Sequence, residues 1–216
     1  MEEFQGDLQH LAIRTIDFCT SSESMYALTR FVHEQVPGGY GFGRSDVCFV
    51  IDAPLDSDFI TAEAGLLLYL DYCQKNRQLM GEGFQVVYRF LSSEVPSKVR
   101  FQEVIPYLKA ALLEDGLIGG LHDFQAVLGE SSSRQLQCAL ISCVEPWAVP
   151  EEQLKELKFR TLFASLFGGG HLSLGMYAEL LETFERLNPS LAVCCLGMKM
   201  MACSPPMLLL LGEPES

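Results

Sequence analysis

The side chains best suited to nucleophilic or metal chemistry in this chain are its eight cysteines and four histidines, which are scattered along the sequence. Zinc sites usually draw on closely spaced pairs such as Cys-x-x-Cys, and the sequence contains no such pair. It also lacks the Gly-x-Ser-x-Gly elbow of a serine nucleophile. We therefore predict no metal site and no cofactor, with most thiols filling an apolar core. The alternative is a cysteine and a histidine brought together by the fold, which would make a hydrolase or transferase.

A glycine-rich segment, Gly38-Gly39-Tyr40-Gly41-Phe42-Gly43-Arg44, could bring backbone amides close to an anion. It lacks the Gly-Lys-Ser/Thr ending of a phosphate-binding loop and the Gly-x-Gly-x-x-Gly register of a dinucleotide site. We predict instead a mobile surface loop whose aromatic side chains contact a partner protein.

Four acidic residues follow this segment closely: Asp52, Asp56, Asp58 and Glu63. Clustered carboxylates suit calcium or magnesium, but the spacing of an EF-hand is absent. A solvated loop with acids that cap a helix explains these residues more simply. The predicted partner-binding residues are Tyr40, Phe42, Arg44, Asp52 and Asp56.

The composition excludes several classes of protein. The 216 residues are 49% apolar and 20% charged, which is typical of a folded chain with a sizeable core. A formal net charge of −13 repels phosphate, so direct binding of nucleic acid is disfavoured. The N-terminus lacks the features of a secretory signal, and no apolar run is long enough to span a bilayer. We expect a cytoplasmic or nuclear protein whose thiols stay reduced.

Apolar residues at three- and four-residue spacing predict helices along most of the chain. The clearest stripes lie within residues 8–16, 25–32, 101–112, 136–143 and 177–184. Residues 59–72 are apolar all round, which is typical of a buried central helix. The aromatic and β-branched residues within 84–91 fit either a helix or a strand, and we assign them to a helix. Only residues 47–51 read as a minor β element. We predict an all-α domain over residues 1–203, built as a compact bundle or as stacked helical hairpins, and a C-terminal tail over residues 204–216.

One stretch of this predicted bundle is similar to a known family. Leu157-Lys158-Phe159-Arg160-Thr161-Leu162-Phe163-Ala164-Ser165-Leu166-Phe167 precedes a glycine turn and a second apolar stripe through Met176 and Leu181. The segment resembles a helical hairpin from the HEAT-like middle domain of translation initiation factor 4G scaffolds. The rest of the chain departs from that pattern. The resemblance implies a scaffold that docks protein partners in RNA metabolism, and it assigns no functional residue.

Helices, an acidic surface and the lack of catalytic motifs together favour a non-enzymatic interaction domain. We predict a scaffold or adaptor that binds a partner protein through a helical groove or a surface patch. The cysteine-dependent hydrolase or transferase is the alternative. A third hypothesis is a complex subunit or homo-oligomer whose apolar surface is completed only by association.

Overall fold

The computed structural model describes residues 12–19, 28–35, 45–55, 64–72, 75–79, 83–113, 119–143, 147–170, 172–203 and 205–215. Within these ranges the chain forms nine β-strands and four α-helices. The strands are β1 (Ala12–Cys19), β2 (Leu28–Gln35), β3 (Ser45–Ile51), β4 (Ala64–Asp71), β5 (Phe84–Tyr88), β6 (Gln135–Ser142), β7 (Phe159–Gly168), β8 (Val193–Met200) and β9 (Met207–Pro214). The helices are α1 (Lys98–Leu112), α2 (Leu121–Glu130), α3 (Glu151–Leu154) and α4 (Leu174–Leu187). The prediction of an all-α fold with at most a minor β element near residues 47–51 is therefore wrong.

All nine strands belong to one sheet, in the order β2-β1-β3-β4-β5-β6-β9-β7-β8. Neighbours from β1 through β3, β4 and β5 to β6 are parallel, and β2 is antiparallel to β1. Strand β9 is antiparallel to both β6 and β7, and β8 is parallel to β7. The segment expected to form a tail thus contains the strand that joins the two parallel parts of the sheet.

Strand β4 illustrates why the prediction of helices failed. Leu66, Leu68 and Leu70 pack in one core cluster, whereas Tyr69 and the partly buried Leu67 pack in another. A strand that buries both faces is apolar at every position and loses the alternating pattern of a half-exposed strand. Such a run fits a buried helix equally well, so the sequence did not distinguish the two.

Most of the other predicted helices are strands for the same reason. Strands β1, β2, β5 and β6 coincide with much of the stripes within residues 8–16, 25–32, 84–91 and 136–143. The segment 157–167, on which the resemblance to HEAT-like scaffolds rested, is largely strand β7. That resemblance is therefore wrong, because a strand cannot form half of a helical hairpin.

Two predicted helices are confirmed, and both have one apolar face. Helix α1 contains the stripe of residues 101–112, with Pro106 inside it, and α4 contains the stripe of residues 177–184. The Ser173 side chain caps α4 by accepting a hydrogen bond from the Met176 amide at 3.3 Å. None of the helices in the described ranges is long and apolar enough to cross a membrane.

The helices cover the sheet on both faces. Buried residues of α1 and α2, such as Leu108 and Phe124, belong to one core cluster with β3 to β6. On the opposite face of the sheet, buried residues of α3 and α4, such as Leu154 and Phe184, pack with buried residues of β6 to β9 in a second cluster. The result is a three-layer α/β arrangement in which the central strands have no face exposed to water.

The backbones of β9 and β7 lie very close together at Gly212. A Cβ atom built on Gly212 would lie 2.0 Å from the carbonyl oxygen of Thr161 and 3.1 Å from the Cα atom of Leu162. The strand register is irregular there, between Phe159 and Thr161. Only glycine fits between the two strands at this point.

We predict that Gly212→Ala lowers the free energy of unfolding by about 3 kcal/mol, because backbone atoms cannot yield to the added methyl group. Gly129→Ala is the matched control, since Gly129 lies in α2 and a Cβ atom built on it would have no neighbour within 4 Å. That substitution should stabilise the chain by about 0.5 kcal/mol through helix propensity. Urea unfolding followed by circular dichroism measures both, and equal stabilities would contradict the packing of β9 on β7.

Candidate functional site

Open α/β sheets bind ligands outside the carboxyl ends of their parallel strands. In this chain β3, β4 and β5 end at Ile51, Asp71 and Tyr88. A buried group of polar side chains lies where β3 and β4 end and consists of Asp71, Arg77 and, from near the start of β5, Gln85; we call it the Arg77 cluster.

The Arg77 guanidinium is the centre of the cluster. Its Nε donates to Asp71 Oδ2 at 3.0 Å and its Nη2 donates to Asp71 Oδ1 at 2.6 Å. Further bonds run from Nη2 to the Ala53 carbonyl at 2.8 Å and from Nη1 to the Pro54 carbonyl at 2.9 Å. The guanidinium carbon also lies 4.6 Å from the centre of the Tyr69 ring. The side chains of Arg77 and Asp71 are only 1% and 2% exposed.

Gln85 completes the cluster from the next strand. Its amide Nε2 donates to Asp71 Oδ2 at 2.8 Å and to the Lys75 carbonyl at 2.7 Å, and its Oε1 accepts from the Arg77 amide at 3.1 Å. Charged groups withdrawn from water this completely need several partners, and here the chain itself supplies them. The cluster therefore fixes the segments that follow β3 and β4 instead of offering its charges to a ligand.

A tight turn brings the carbonyls of Ala53 and Pro54 to this cluster. Asp52 has φ of 50°, a left-handed conformation that aspartate tolerates better than most residues, and its amide donates to the Leu70 carbonyl at 2.9 Å. Sequence reasoning missed Asp71, Arg77 and Gln85. The available signal was a carboxylate at the end of an apolar run with an arginine six residues later, which alone does not indicate a contact.

A second buried polar contact lies at the other end of the sheet. Lys199 of β8 is 3% exposed, and its Nζ donates to the carbonyls of Leu113, where α1 ends, and of Gly119 at 2.8 Å. Gly119 has φ of 85°, and a Cβ atom built on it would lie 2.7 Å from the Cα atom of Gly197 in β8. Leu113 is thus bound to β8 through the Lys199 side chain, and Gly119 is bound by the same side chain and also contacts the β8 backbone at Gly197.

Six cysteines are free thiols: Cys48, Cys138, Cys143, Cys194, Cys195 and Cys203. Burial raises the pKa of Cys138 well above its ordinary value. Burial, aided by the neighbouring Cys203, raises the pKa of Cys143 to about 12, and burial, aided by Cys195 and Glu185, raises the pKa of Cys194 to about 12. A catalytic cysteine needs a lowered pKa, so these environments are unsuited to a nucleophile. Among the described residues no group of three metal-binding side chains comes together.

The predicted partner-binding residues are only partly placed. Tyr40, Phe42, Arg44 and Asp56 lie outside the described residues. Asp52 lies in the turn after β3, next to two residues whose carbonyls bind Arg77. Contact of these five residues with a partner stays a prediction.

The described residues form a three-layer α/β arrangement around one mixed nine-stranded sheet. Among solved structures, CetZ from Methanosaeta thermophila has a similar fold, with a TM-score of 0.51 and 11% sequence identity over 81% of this chain and 62% of the CetZ chain. A tryptophan-to-tyrosine mutant of FtsZ from M. jannaschii is 14% identical with a TM-score of 0.43 over 79% of this chain and 56% of its own. An empty FtsZ dimer from M. jannaschii is 12% identical with a TM-score of 0.41 over 77% and 53%. No family model matches the sequence, and no curated protein matches it.

The similarity to CetZ overturns the functional predictions made from the sequence. A helical-repeat scaffold is wrong, because the fold is a sheet covered by helices. A cysteine-dependent hydrolase or transferase is wrong as well, because the fold is similar to that of CetZ and burial raises the pKa of Cys138, Cys143, Cys194, Cys195 and Cys203, the opposite of what a nucleophilic thiol needs. This chain spans about 62% of the length of CetZ.

We predict that Arg77→Met lowers the free energy of unfolding by about 4 kcal/mol, because it leaves the Asp71 carboxylate buried without its cation. Arg186→Met is the matched control, since Arg186 also binds a carboxylate at 2.7 Å, that of Glu151, but with both side chains about half exposed. It should cost no more than about 1 kcal/mol. Chemical unfolding measures both, and equal losses would mean that the Arg77 cluster does not stabilise the fold.

The raised thiol pKa values predict a loss of stability at alkaline pH. Unfolded thiols ionise near pH 8.5, whereas Cys143 and Cys194 stay protonated in the fold up to about pH 12. The free energy of unfolding should hold its full value below about pH 8.5 and then fall by up to about 1.4 kcal/mol per pH unit for each thiol. Urea unfolding at pH 7.5 and pH 10 tests this, with a Cys143→Ala and Cys194→Ala double variant as the reference. Identical pH dependence in the two proteins would refute the assignment.

Proposed function

We propose that this protein is of the cytoskeletal type, related in fold to CetZ, and that it assembles with copies of itself. One observation carries the proposal: the similarity of fold to CetZ, which extends over 81% of this chain at a TM-score of 0.51. The homo-oligomer hypothesis drawn from the sequence agrees with it. Six free thiols in the described residues support a reducing compartment such as the cytoplasm.

GTP is the ligand that this class of fold implies, and its phosphates would need a suitable site. Phosphate sites in α/β folds use glycine-rich turns whose free amides point at the anion from a helix N-terminus. Between β3 and α1 the described glycines are Gly65, within β4, and Gly83, directly before β5, so none lies in a turn after β3, β4 or β5 that leads into a helix. The carbonyls of Ala53 and Pro54 accept hydrogen bonds from the Arg77 guanidinium. These residues do not fit a phosphate group.

The glycine-rich segment 38–43 lies outside the described residues, between β2 and β3. Because a glycine-rich segment can bring backbone amides close to a phosphate, GTP is included in the assembly experiment. The sequence predicted that the chain is not an enzyme. A direct assay for GTP hydrolysis tests that prediction.

The charge of the chain sets the conditions under which assembly is expected. Each copy carries a formal net charge of −13, so copies repel one another at long range. Salt shortens the range of this repulsion to about 8 Å at physiological ionic strength. Self-association should therefore strengthen as salt is raised from low to physiological concentrations.

We predict that sedimentation velocity of the purified chain gives an average mass above the monomer that rises with protein concentration and with salt. The measurement is repeated with GTP, with GDP and with ATP as the control nucleotide, and electron microscopy examines the assemblies for filaments. Phosphate release and the fluorescence of a labelled GTP report hydrolysis and binding separately. A monomer under every condition would refute the proposal, and assembly that ignores all three nucleotides would restrict it to self-association.

A further inference from the structure

We draw no further inference here: the strongest candidate, the surface patch that carries the exposed apolar side chains of Leu174 at the start of α4 and Met200 at the end of β8, carries none because nothing in the part of the chain that the structure describes shows what covers it.

Discussion

The pairing of β9 with β6 on one side and β7 on the other is the interaction on which the rest of this fold depends. Strand β9 is the last strand in the sequence, yet it lies between strands that precede it and is antiparallel to both. Its residues from Leu208 to Leu211 are all at most 1% exposed, so its backbone bonds have no water to replace them. The sheet is continuous only once β9 has been inserted between β6 and β7.

The parallel part of the sheet meets a different constraint. Parallel neighbours need a connection that returns from one end of the sheet to the other, and this connection is usually a helix. The described residues between β4 and β5, residues 72, 75–79 and 83, form none. In its place the Arg77 cluster binds the connection to β4, to β5 and to the turn after β3. A buried ion pair thus does here what an apolar helix face does elsewhere.

These two constraints bear on function because internal contacts fill positions at which an α/β sheet could otherwise bind a ligand or a partner. The carboxyl ends of β3 and β4, part of the edge where an α/β sheet usually binds its ligand, are occupied by the internal bonds of the Arg77 cluster. At the far edge, Lys199 draws the flanks of the α1–α2 connection onto β8. The fold relates the chain to CetZ, whereas these contacts are particular to the side chains of this sequence.

The sequence by itself determined the features that depend on composition or on a one-sided apolar face. Helices α1 and α4 each bury one face, so the spacing of residues such as Leu180 and Phe184 predicts them correctly. The lack of a disulfide framework likewise agrees with six free thiols among the described residues. Tertiary structure alone decided the rest. Strands such as β4, β7 and β9 are buried on both faces and therefore carry no periodic signal, and Arg77 and Lys199 acquire their roles only from partners that the fold brings to them.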